Sequence, residues 1–244
     1  SSAASDVYKR QQYGLPYAQD KVIGALAEAN PNLAVVIVSG NAVAMPWIGR
    51  VPAVLEAWFS GSEAGNALAD VVFGAVNPSG KLPFTFPVRL EDNSAHALGE
   101  YPGGDTVTYN ESIFVGYRWH DKERLFAFGH GLSYTTFAVG NVKADRTTLA
   151  SKGSIRISAD VTNTGDRAGA EVVQLYIGDE QSSLPRPVKE LKGFRKIALD
   201  PGQTQTVTFE ITPDMLRYYD DAKGAWVAEP GAFTAYVGVA SDDI

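Results

Sequence analysis

The C-terminal part of the sequence alternates between apolar and polar residues, and this periodicity of two constrains the fold more than any other feature. Every second residue is apolar in 155–161, 173–177, 207–211 and 233–239, and turn sequences rich in Gly and Pro separate these runs. Successive side chains of a strand point to opposite faces of a sheet, so each run predicts a strand with one buried face. About seven short strands of this kind predict an antiparallel two-sheet sandwich of the immunoglobulin or fibronectin type over 136–244.

The N-terminal part carries a different pattern, helix–strand–strand–helix. We predict helices at 19–30 and 64–73 and strands at 33–38 and 53–59. The first helix is amphipathic, with its apolar residues on one stripe, and in the second helix Ala67, Leu68, Val71 and Val72 are expected to face inward. The β-branched first strand is expected to be buried on both faces. This order of elements indicates a parallel α/β sheet, although two strands are few for an independent one. The predicted fold is therefore a partial α/β sandwich followed by an all-β sandwich.

The start and end of the second helix have their own signals. Ser60 or Ser62 is expected to cap its N-terminus, where Glu63 also suits the positive end of the helix dipole. Gly74 follows the last apolar residue of the helix, and we expect it to end the helix in a left-handed conformation.

Residues 91–135 are predicted to connect the two parts of the chain. The stretch from Asn77 to Phe128 has little periodicity and is rich in Gly, Pro and aromatic residues. Burying an aromatic ring contributes roughly 1.5–3 kcal/mol, so several buried rings would hold such a connector in place.

The first residues of the chain have an unusual sequence. Asp6-Val-Tyr-Lys-Arg-Gln11 matches the hexapeptide translated from a transposon-end adapter used in some sequencing libraries. We interpret residues 1–11 as such a scar, and the alternative is an ordinary polar tail. With a scar, the natural chain would extend upstream of Tyr13 and this sequence would be a fragment.

Composition excludes several classes of function. The formal net charge is −7 and the pI is near 5.0, which disfavours nucleic-acid binding because an acidic chain repels phosphate backbones. The absence of Cys excludes disulfides, thiolate catalysis and cysteine-ligated metals. The most apolar run, 33–38, is far too short to span a bilayer, and residues 1–12 lack the apolar segment of a signal peptide. We therefore expect neither a nucleic-acid nor a membrane partner.

No motif in the sequence makes a convincing catalytic, metal or cofactor site. His96, His120 and His130 have no metal-ligand spacing and are interpreted as surface or connector residues. The stretch from Gly74 to Lys81 only superficially resembles a phosphate loop, because it has one residue too many and Leu follows the Lys. Ser62 stands one position away from where a nucleophile elbow needs it. The sandwich shows neither a basic patch nor an evident aromatic platform, so structural support is its expected role.

Several motifs in a fixed order carry a resemblance to a known family. The motifs are Leu15-Pro-Tyr-Ala-Gln-Asp20, the run from Pro52 to Gly74, Asn77-Pro-Ser-Gly-Lys-Leu-Pro-Phe-Thr-Phe-Pro87, Phe114-Val-Gly-Tyr-Arg-Trp119, Phe126-Ala-Phe-Gly-His-Gly-Leu-Ser-Tyr-Thr-Thr-Phe137, Val161-Thr-Asn-Thr-Gly-Asp166 and Lys189-Glu-Leu-Lys-Gly-Phe194. The first three resemble the second domain of glycoside hydrolase family 3, and the others are similar to its connector and its fibronectin type III-like domain. The resemblance covers residues 13–244 and assigns 12–90 to the C-terminal half of the α/β-sandwich domain.

The resemblance implies a retaining, exo-acting β-glycosidase, most often a β-glucosidase, with β-xylosidase also common. In this family an Asp nucleophile lies on a barrel domain, and a Glu of the α/β-sandwich domain acts as acid and base. That Glu lies shortly upstream of a stretch like Leu15-Pro16, yet residues 1–12 contain no Glu, and Glu63 belongs to a different motif. We therefore assign no catalytic residue, leave the substrate-binding residues unassigned, and expect a fragment that is inactive alone.

Under this hypothesis the β-glycoside or oligosaccharide substrate is bound through a barrel domain outside this sequence. Family habit favours a periplasmic or secreted parent protein, whereas sugar specificity and oligomeric state stay open. Apolar sheet surface left uncovered is expected to make the isolated chain poorly soluble. Two alternatives stay open as well: a carbohydrate-binding or adhesion module, and a structural module that docks onto a separately encoded barrel.

Overall fold

The computed structural model describes residues 13–101, 103–119 and 123–244. The segment 1–11 and His120 therefore lie outside the described residues. Contacts group the described residues into two compact units. The first holds those within 1–76, 85–110 and 121–126, and the second holds those within 77–84, 111–120 and 127–244. The stretch predicted as a connector thus contributes to both units, and the division at residues 90 and 135 stays a prediction.

The first unit is built from short helices and strands. Its elements are α1 (Gln19–Ala29), β1 (Ala34–Ile37), β2 (Ala53–Glu56), α2 (Ala64–Val72), β3 (Phe86–Pro87), α3 (Ser94–Ala97) and β4 (Arg124–Phe126), with 3-10 turns at Ile48–Arg50, Gly61–Glu63 and Leu90–Asp92. β1 and β2 pair in parallel, in register from Ala34 opposite Ala53 to Ile37 opposite Glu56. The predicted order of elements and the parallel pairing are confirmed.

Burial in this unit differs from the prediction. Only Ile37 of β1 is buried, and Val38 after it is exposed, so the expectation of a strand covered on both faces is wrong. In α1 the apolar side chains of Val22 and Leu26 are exposed, whereas Gly24 is buried. The apolar stripe of α1 is therefore not covered by the described residues. In α2, Ala67 and Val72 are exposed as well, so the expectation that its apolar side chains face inward is wrong for these two residues.

The second helix begins without the predicted serine cap. A 3-10 turn precedes it, and no side chain caps its N-terminus. The Ser60 hydroxyl instead donates to the carbonyl of Ala57 at 2.6 Å, and the Glu63 carboxylate accepts from the side-chain amide of Asn66. The prediction for Gly74 is confirmed, because its φ of 77° lies in the left-handed region.

The aromatic residues of the connector are not uniformly buried. Phe86 is buried and packs edge-to-face on Phe126, which pairs with it across β3 and β4. Tyr109, in contrast, is largely exposed. Tyr117, in the segment between these strands, stacks on Phe128 with ring centroids 4.9 Å apart. Some of the connector rings are therefore packed, as predicted, and others are not.

The second unit contains the predicted antiparallel sandwich. Its strands are β5 (Phe137–Ala144), β6 (Ile155–Asn163), β7 (Gly169–Asp179), β8 (Glu190–Leu199), β9 (Thr204–Ile211), β10 (Tyr218–Asp220), β11 (Ala225–Val227) and β12 (Phe233–Gly238), with 3-10 turns at Gly116–Arg118 and Pro213–Leu216. One sheet has the order β5-β6-β9, the other has the order β12-β7-β8, and β10 pairs with β11 as a separate hairpin.

The sandwich core is the one that the alternation predicts. The buried residues of one sheet include Ile157, Val161 and Phe209, and those of the other include Val173 and Leu175. Val161 and Val173 are both 0% exposed. Each fully buried Val or Leu side chain contributes roughly 1.5–3 kcal/mol, so this inner layer holds the unit together.

A buried asparagine closes one end of the sandwich. The side-chain oxygen of Asn163 accepts a hydrogen bond from the Thr135 hydroxyl at 2.8 Å and another from the Gly165 backbone amide at 3.1 Å. Its side-chain nitrogen donates to the carbonyls of Arg167 at 2.7 Å and Leu199 at 3.0 Å. In the sequence Asn163 stands at the turn that follows a run of alternating residues, and in the structure its side chain joins the ends of several segments.

Candidate functional site

The carboxyl ends of β1 and β2 meet at one edge of the small parallel sheet, where open α/β sheets usually bind ligands. Ser39 follows β1, and Glu56 is the last residue of β2. The Ser39 hydroxyl donates to the carbonyl of Asn41 at 2.7 Å and approaches Glu56 Oε1 at 3.3 Å. The amide of Trp58 donates to the same Glu56 oxygen at 3.2 Å. Glu56 therefore joins the loops that follow the two strands.

Glu56 is a partly buried carboxyl group with an altered affinity for protons. Burial raises its pKa above the ordinary value, although hydrogen bonds from Trp58 and Ser39 act in the opposite direction. Its second oxygen, Oε2, is buried without a hydrogen-bond partner among the described residues. Burying the neutral, protonated form of such a carboxyl group costs less free energy than burying the carboxylate, so the protonated form is favoured.

The loop after β2 holds an aromatic group at this edge. Trp58 has a φ of 52°, in the left-handed region that non-glycine residues seldom occupy, so its backbone conformation must be maintained by contacts. The hydrogen bond to Glu56 is one such contact. The Trp58 ring lies edge-to-face against Phe86, with ring centroids 6.3 Å apart. The prediction that β2 continues to Phe59 is wrong because this left-handed residue ends it.

The motif that begins at Leu15 also has a structural role. The Asp20 carboxylate accepts a hydrogen bond at 2.8 Å from the indole nitrogen of Trp47, which is almost completely buried. Nearby, the Tyr13 hydroxyl donates to the carbonyl of Pro87 at 2.6 Å, and burial raises the pKa of this phenol. These bonds fix the N-terminal segment and the buried indole in place.

His96 and His130, the two histidines within the described residues, belong to different units and each has local structural contacts. His96 lies in α3 with its ring against Tyr101, at a centroid distance of 4.9 Å. His130 lies in the second unit, where burial and the charge of Lys81 lower its pKa. Within the described ranges, no group of three or more His, Cys, Asp or Glu residues has the geometry to hold a metal ion.

Lys81 and Ser62, the remaining candidates considered in the sequence, lie in structural settings. The Lys81 ammonium forms a buried ion pair with Glu171 at 2.7 Å and donates to the carbonyl of Gly131 at 2.8 Å. Ser62 lies in the exposed 3-10 turn before α2. In the part of the chain that the structure describes, no helix is both long and apolar enough to cross a membrane.

Sequence reasoning missed two features. Glu56 was placed inside an apolar strand, and an acidic residue within such a run is itself a signal of a buried polar contact. The second feature is an exposed aromatic pair in the sandwich, which the sequence did not single out. Tyr219 and Trp226 are exposed on the β10–β11 hairpin, and their rings form an edge-to-face pair.

Two family models match the sequence. One, described as the Glycosyl hydrolase family 3 C-terminal domain, matches residues 1–134. The other, described as a Fibronectin type III-like domain, matches residues 171–241 and so begins inside β7. The first match includes residues 1–11, and their interpretation as a scar stays a prediction. The fold and these matches define an α/β unit joined to a fibronectin type III-like sandwich.

The most informative relatives are bacterial β-glucosidases. The chain is 52% identical over 242 residues to "Beta-glucosidase BoGH3A" of Bacteroides ovatus, covering 96% of this chain and 32% of that protein. It is 45% identical over 244 residues to "Thermostable beta-glucosidase B" of Acetivibrio thermocellus, covering 98% of this chain and 32% of that protein. The chain belongs to glycoside hydrolase family 3, and it spans about a third of the length of these relatives.

Solved structures of β-glucosidases also resemble this chain over part of their length. DesR, a β-glucosidase from Streptomyces venezuelae in complex with D-glucose, superposes with a TM-score of 0.88 at 39% identity, covering 95% of this chain and 30% of that chain. The β-glucosidase from Kluyveromyces marxianus in complex with glucose also gives a TM-score of 0.88, at 40% identity, with 95% and 28% covered. The sequence is thus homologous to the C-terminal third of family 3 β-glucosidases.

Proposed function

We propose that this chain is the C-terminal, non-catalytic part of a retaining exo-β-glycosidase, most specifically a β-glucosidase. The observation that carries the proposal is the 52% identity to a β-glucosidase across 96% of this chain but only 32% of that protein. Similarity this high and continuous extends through both units. It supports a shared role for the whole segment, and the remaining two thirds of such a protein would supply the sugar site.

The chemistry of the reaction supports this division. A retaining glycosidase needs two carboxyl groups on either side of the scissile bond, one as nucleophile and one as acid and base. The best-placed carboxyl group in the first unit is Glu56, but one of its oxygens accepts from Ser39 and Trp58 and the other is buried. Its contacts suit a residue that orders two loops. We therefore propose that both catalytic carboxylates come from residues outside 13–244.

Exposed apolar side chains of the first unit further support the proposal. Phe73, at the end of α2, is 87% exposed, and Phe59 and Val38 near the strand ends are also mainly exposed. Val22 and Leu26 form an exposed apolar stripe on α1. Soluble proteins seldom leave so many large apolar groups in water unless another surface covers them. A preceding segment of a longer protein would provide that surface.

A chimera tests the proposed function. The matching C-terminal third of the B. ovatus relative is replaced by residues 13–244 of this chain, and hydrolysis of nitrophenyl β-glucoside is measured. We expect the chimera to hydrolyse the substrate, and we expect the relative truncated at the same junction to be inactive or insoluble. A second control combines the chimera with Asn163→Ala, which should weaken the sandwich. A soluble, folded chimera without activity would contradict the proposal.

A further inference from the structure

The two three-stranded sheets of the sandwich have four edge strands, and three of these are protected against pairing with another strand. β5 has a register shift just before Lys143, which interrupts its regular pairing. The β7–β8 pair also has a register shift, and on β8, which carries several charged side chains, the Leu191 amide already donates to the Tyr117 hydroxyl at 2.9 Å. β12 has no exposed residue, and Asp243 packs against Gly238 at its end. Bulges, charges and covering segments are the usual protections of a sheet edge.

The fourth edge, formed by β9, has none of these protections. β9 is eight residues long, Thr204–Ile211, and it pairs with β6 without a register shift. It contains no Gly or Pro, and its only charged residue is Glu210. No described strand pairs with its other side, and within the described ranges its residues form no backbone hydrogen bond outside the β6 ladder. A long, regular edge with little charge is a template for another strand.

The two faces of β9 are also regular. Val207 and Phe209 point into the core and are only 4% and 5% exposed. Thr206 and Thr208 lie on the opposite face and are exposed to solvent. β-Branched and aromatic residues favour an extended backbone, so β9 presents a stable strand with one apolar and one polar face. A strand that adds to this edge must continue the same two faces.

We propose that β9 is a self-association edge, which pairs antiparallel with β9 of a second copy of this chain about a two-fold axis at Thr208. Directly opposite residues of an antiparallel pair share a face of the sheet. In this register Val207 faces Phe209 of the second copy on the inner side, and Thr206 faces Glu210 on the outer side. The two Glu210 carboxylates lie at opposite ends of the strand pair, so no like charges meet. The product is one continuous six-stranded sheet, closed by its two-fold symmetry.

A second copy fits this edge better than an unrelated extended peptide does. Domains that capture peptides by strand addition take their specificity from pockets for alternate side chains. On the inner side of β9 these positions are filled by the chain's own buried Val207 and Phe209. A second β9 instead presents matching apolar and polar faces in a register without opposed like charges. The inference requires only the sandwich, so its outcome is independent of the function proposed above.

The pairing is expected to be weak. A single added strand pair buries less surface than the roughly 800 Å² per partner of a stable interface. We therefore expect a monomer–dimer equilibrium with a dissociation constant on the order of 100 µM. The net charge of −7 makes two copies repel each other, so added salt should strengthen the pairing.

The test is analytical ultracentrifugation of the complete 244-residue chain between about 1 µM and about 300 µM. We expect dimers at the upper end of this range. Thr208→Lys places two ammonium groups opposite each other at the two-fold axis and should weaken association by about tenfold or more. Thr208→Glu should do the same, whereas an equal mixture of the two variants should restore the dimer. Ala138→Lys puts the same charge at an exposed position of β5, on the other edge of the sheet, and should leave association unchanged.

Association through the exposed apolar side chains of the first unit must be separated from pairing of β9. Each variant is therefore also made together with Phe73→Asp, which removes one of those side chains. Dimers that persist with Phe73→Asp and are lost with Thr208→Lys support the inference. Association that Phe73→Asp abolishes and Thr208→Lys leaves unchanged would overturn it.

Two further outcomes would also overturn the inference. One is a chain that stays monomeric at about 300 µM. The other is a mixture of Thr208→Lys and Thr208→Glu chains that associates no more than either variant alone. Thermal unfolding of each variant shows that the fold is retained. In the wild-type chain, hydrogen exchange of the β9 amides should slow as the protein concentration rises.

Discussion

Replacing Asn163 by Ala tests how the end of the sandwich is held together. The side chain is 0% exposed and forms four hydrogen bonds, two through its oxygen and two through its nitrogen. Its partners lie in the segments before β5, after β6 and at the end of β8. Ala keeps the backbone of β6 intact but leaves those four partners without this amide.

The expected loss of stability depends on which of these partners can form hydrogen bonds to water once the amide is removed. The bonds to the Thr135 hydroxyl and the Leu199 carbonyl are buried, whereas those to Gly165 and Arg167 are partly buried. An unsatisfied buried polar group costs about 1–3 kcal/mol. Two such groups, partly relieved by relaxation, give an expected loss of about 3 kcal/mol. At a typical urea dependence of about 2 kcal/mol per M, the unfolding midpoint should fall by about 1.5 M.

The assay must report on the sandwich alone, because a chain with two units need not unfold in one step. Urea-dependent hydrogen exchange of peptides from β6 and β9 provides this readout. Thr164→Ala is the control, since its hydroxyl shares a solvent-exposed hydrogen bond with the Thr136 hydroxyl at 2.8 Å. We expect this control to change stability by less than about 0.5 kcal/mol. A midpoint for Asn163→Ala that equals the control would refute the reasoning.

Asn163→Asp adds a dependence on pH to the same test. The new carboxyl group would face the carbonyls of Arg167 and Leu199, which donate nothing, so burial should raise its pKa in the folded state. A raised folded-state pKa gives stability that is present below the unfolded pKa and is lost as pH rises through the folded value. This variant should therefore be less destabilised at pH 4 than at pH 7. Equal losses at both values would contradict the account.

Three further predictions concern other parts of the chain. Lys81→Met should destabilise the sandwich by about 3–5 kcal/mol because it leaves the buried Glu171 carboxylate unpaired, and adding Glu171→Gln should recover part of this loss in a double-mutant cycle of urea midpoints. Burial raises the pKa of Glu56, so the protonated form stabilises the fold at low pH, and this stabilisation is lost as pH rises through the folded-state pKa. Gln resembles the protonated carboxyl group at every pH. Glu56→Gln should therefore raise the thermal midpoint more at pH 7 than at pH 4. Phe73→Asp should reduce binding of a hydrophobic dye and concentration-dependent association with little change in thermal midpoint, because this ring is exposed, and an unchanged dye signal would count against an apolar docking face.

The sandwich could be predicted from sequence because alternation encodes the buried face directly. Val161 and Val173 occupy the expected inward positions, and a slip of one residue would expose every apolar side chain of a strand. The first unit shows the limit of the same argument. The apolar stripe of α1 is real, but periodicity cannot state what covers it, and Val22 and Leu26 are exposed in the described structure.

The missed contacts depend on geometry that a linear pattern does not contain. The loop after β2 turns at Trp58, whose left-handed backbone has no sequence signature comparable to Gly. The pairing of Tyr219 with Trp226 depends on the register of two strands of three residues each, and a turn sets that register. Motif resemblance identified the family, whereas the contacts of Glu56 and Asn163 required coordinates.

The most direct test of the central claim is the activity of this chain alone. Purified 244-residue protein is incubated with nitrophenyl β-glucoside and with cellobiose, and release of nitrophenol and of glucose is followed over a long time course. Because we place both catalytic carboxylates outside residues 13–244, we expect no hydrolysis above the buffer control, while the active chimera serves as the positive control. Turnover that co-purifies with the chain and follows its concentration would show that a complete glycosidase site lies within this sequence, and would contradict the account.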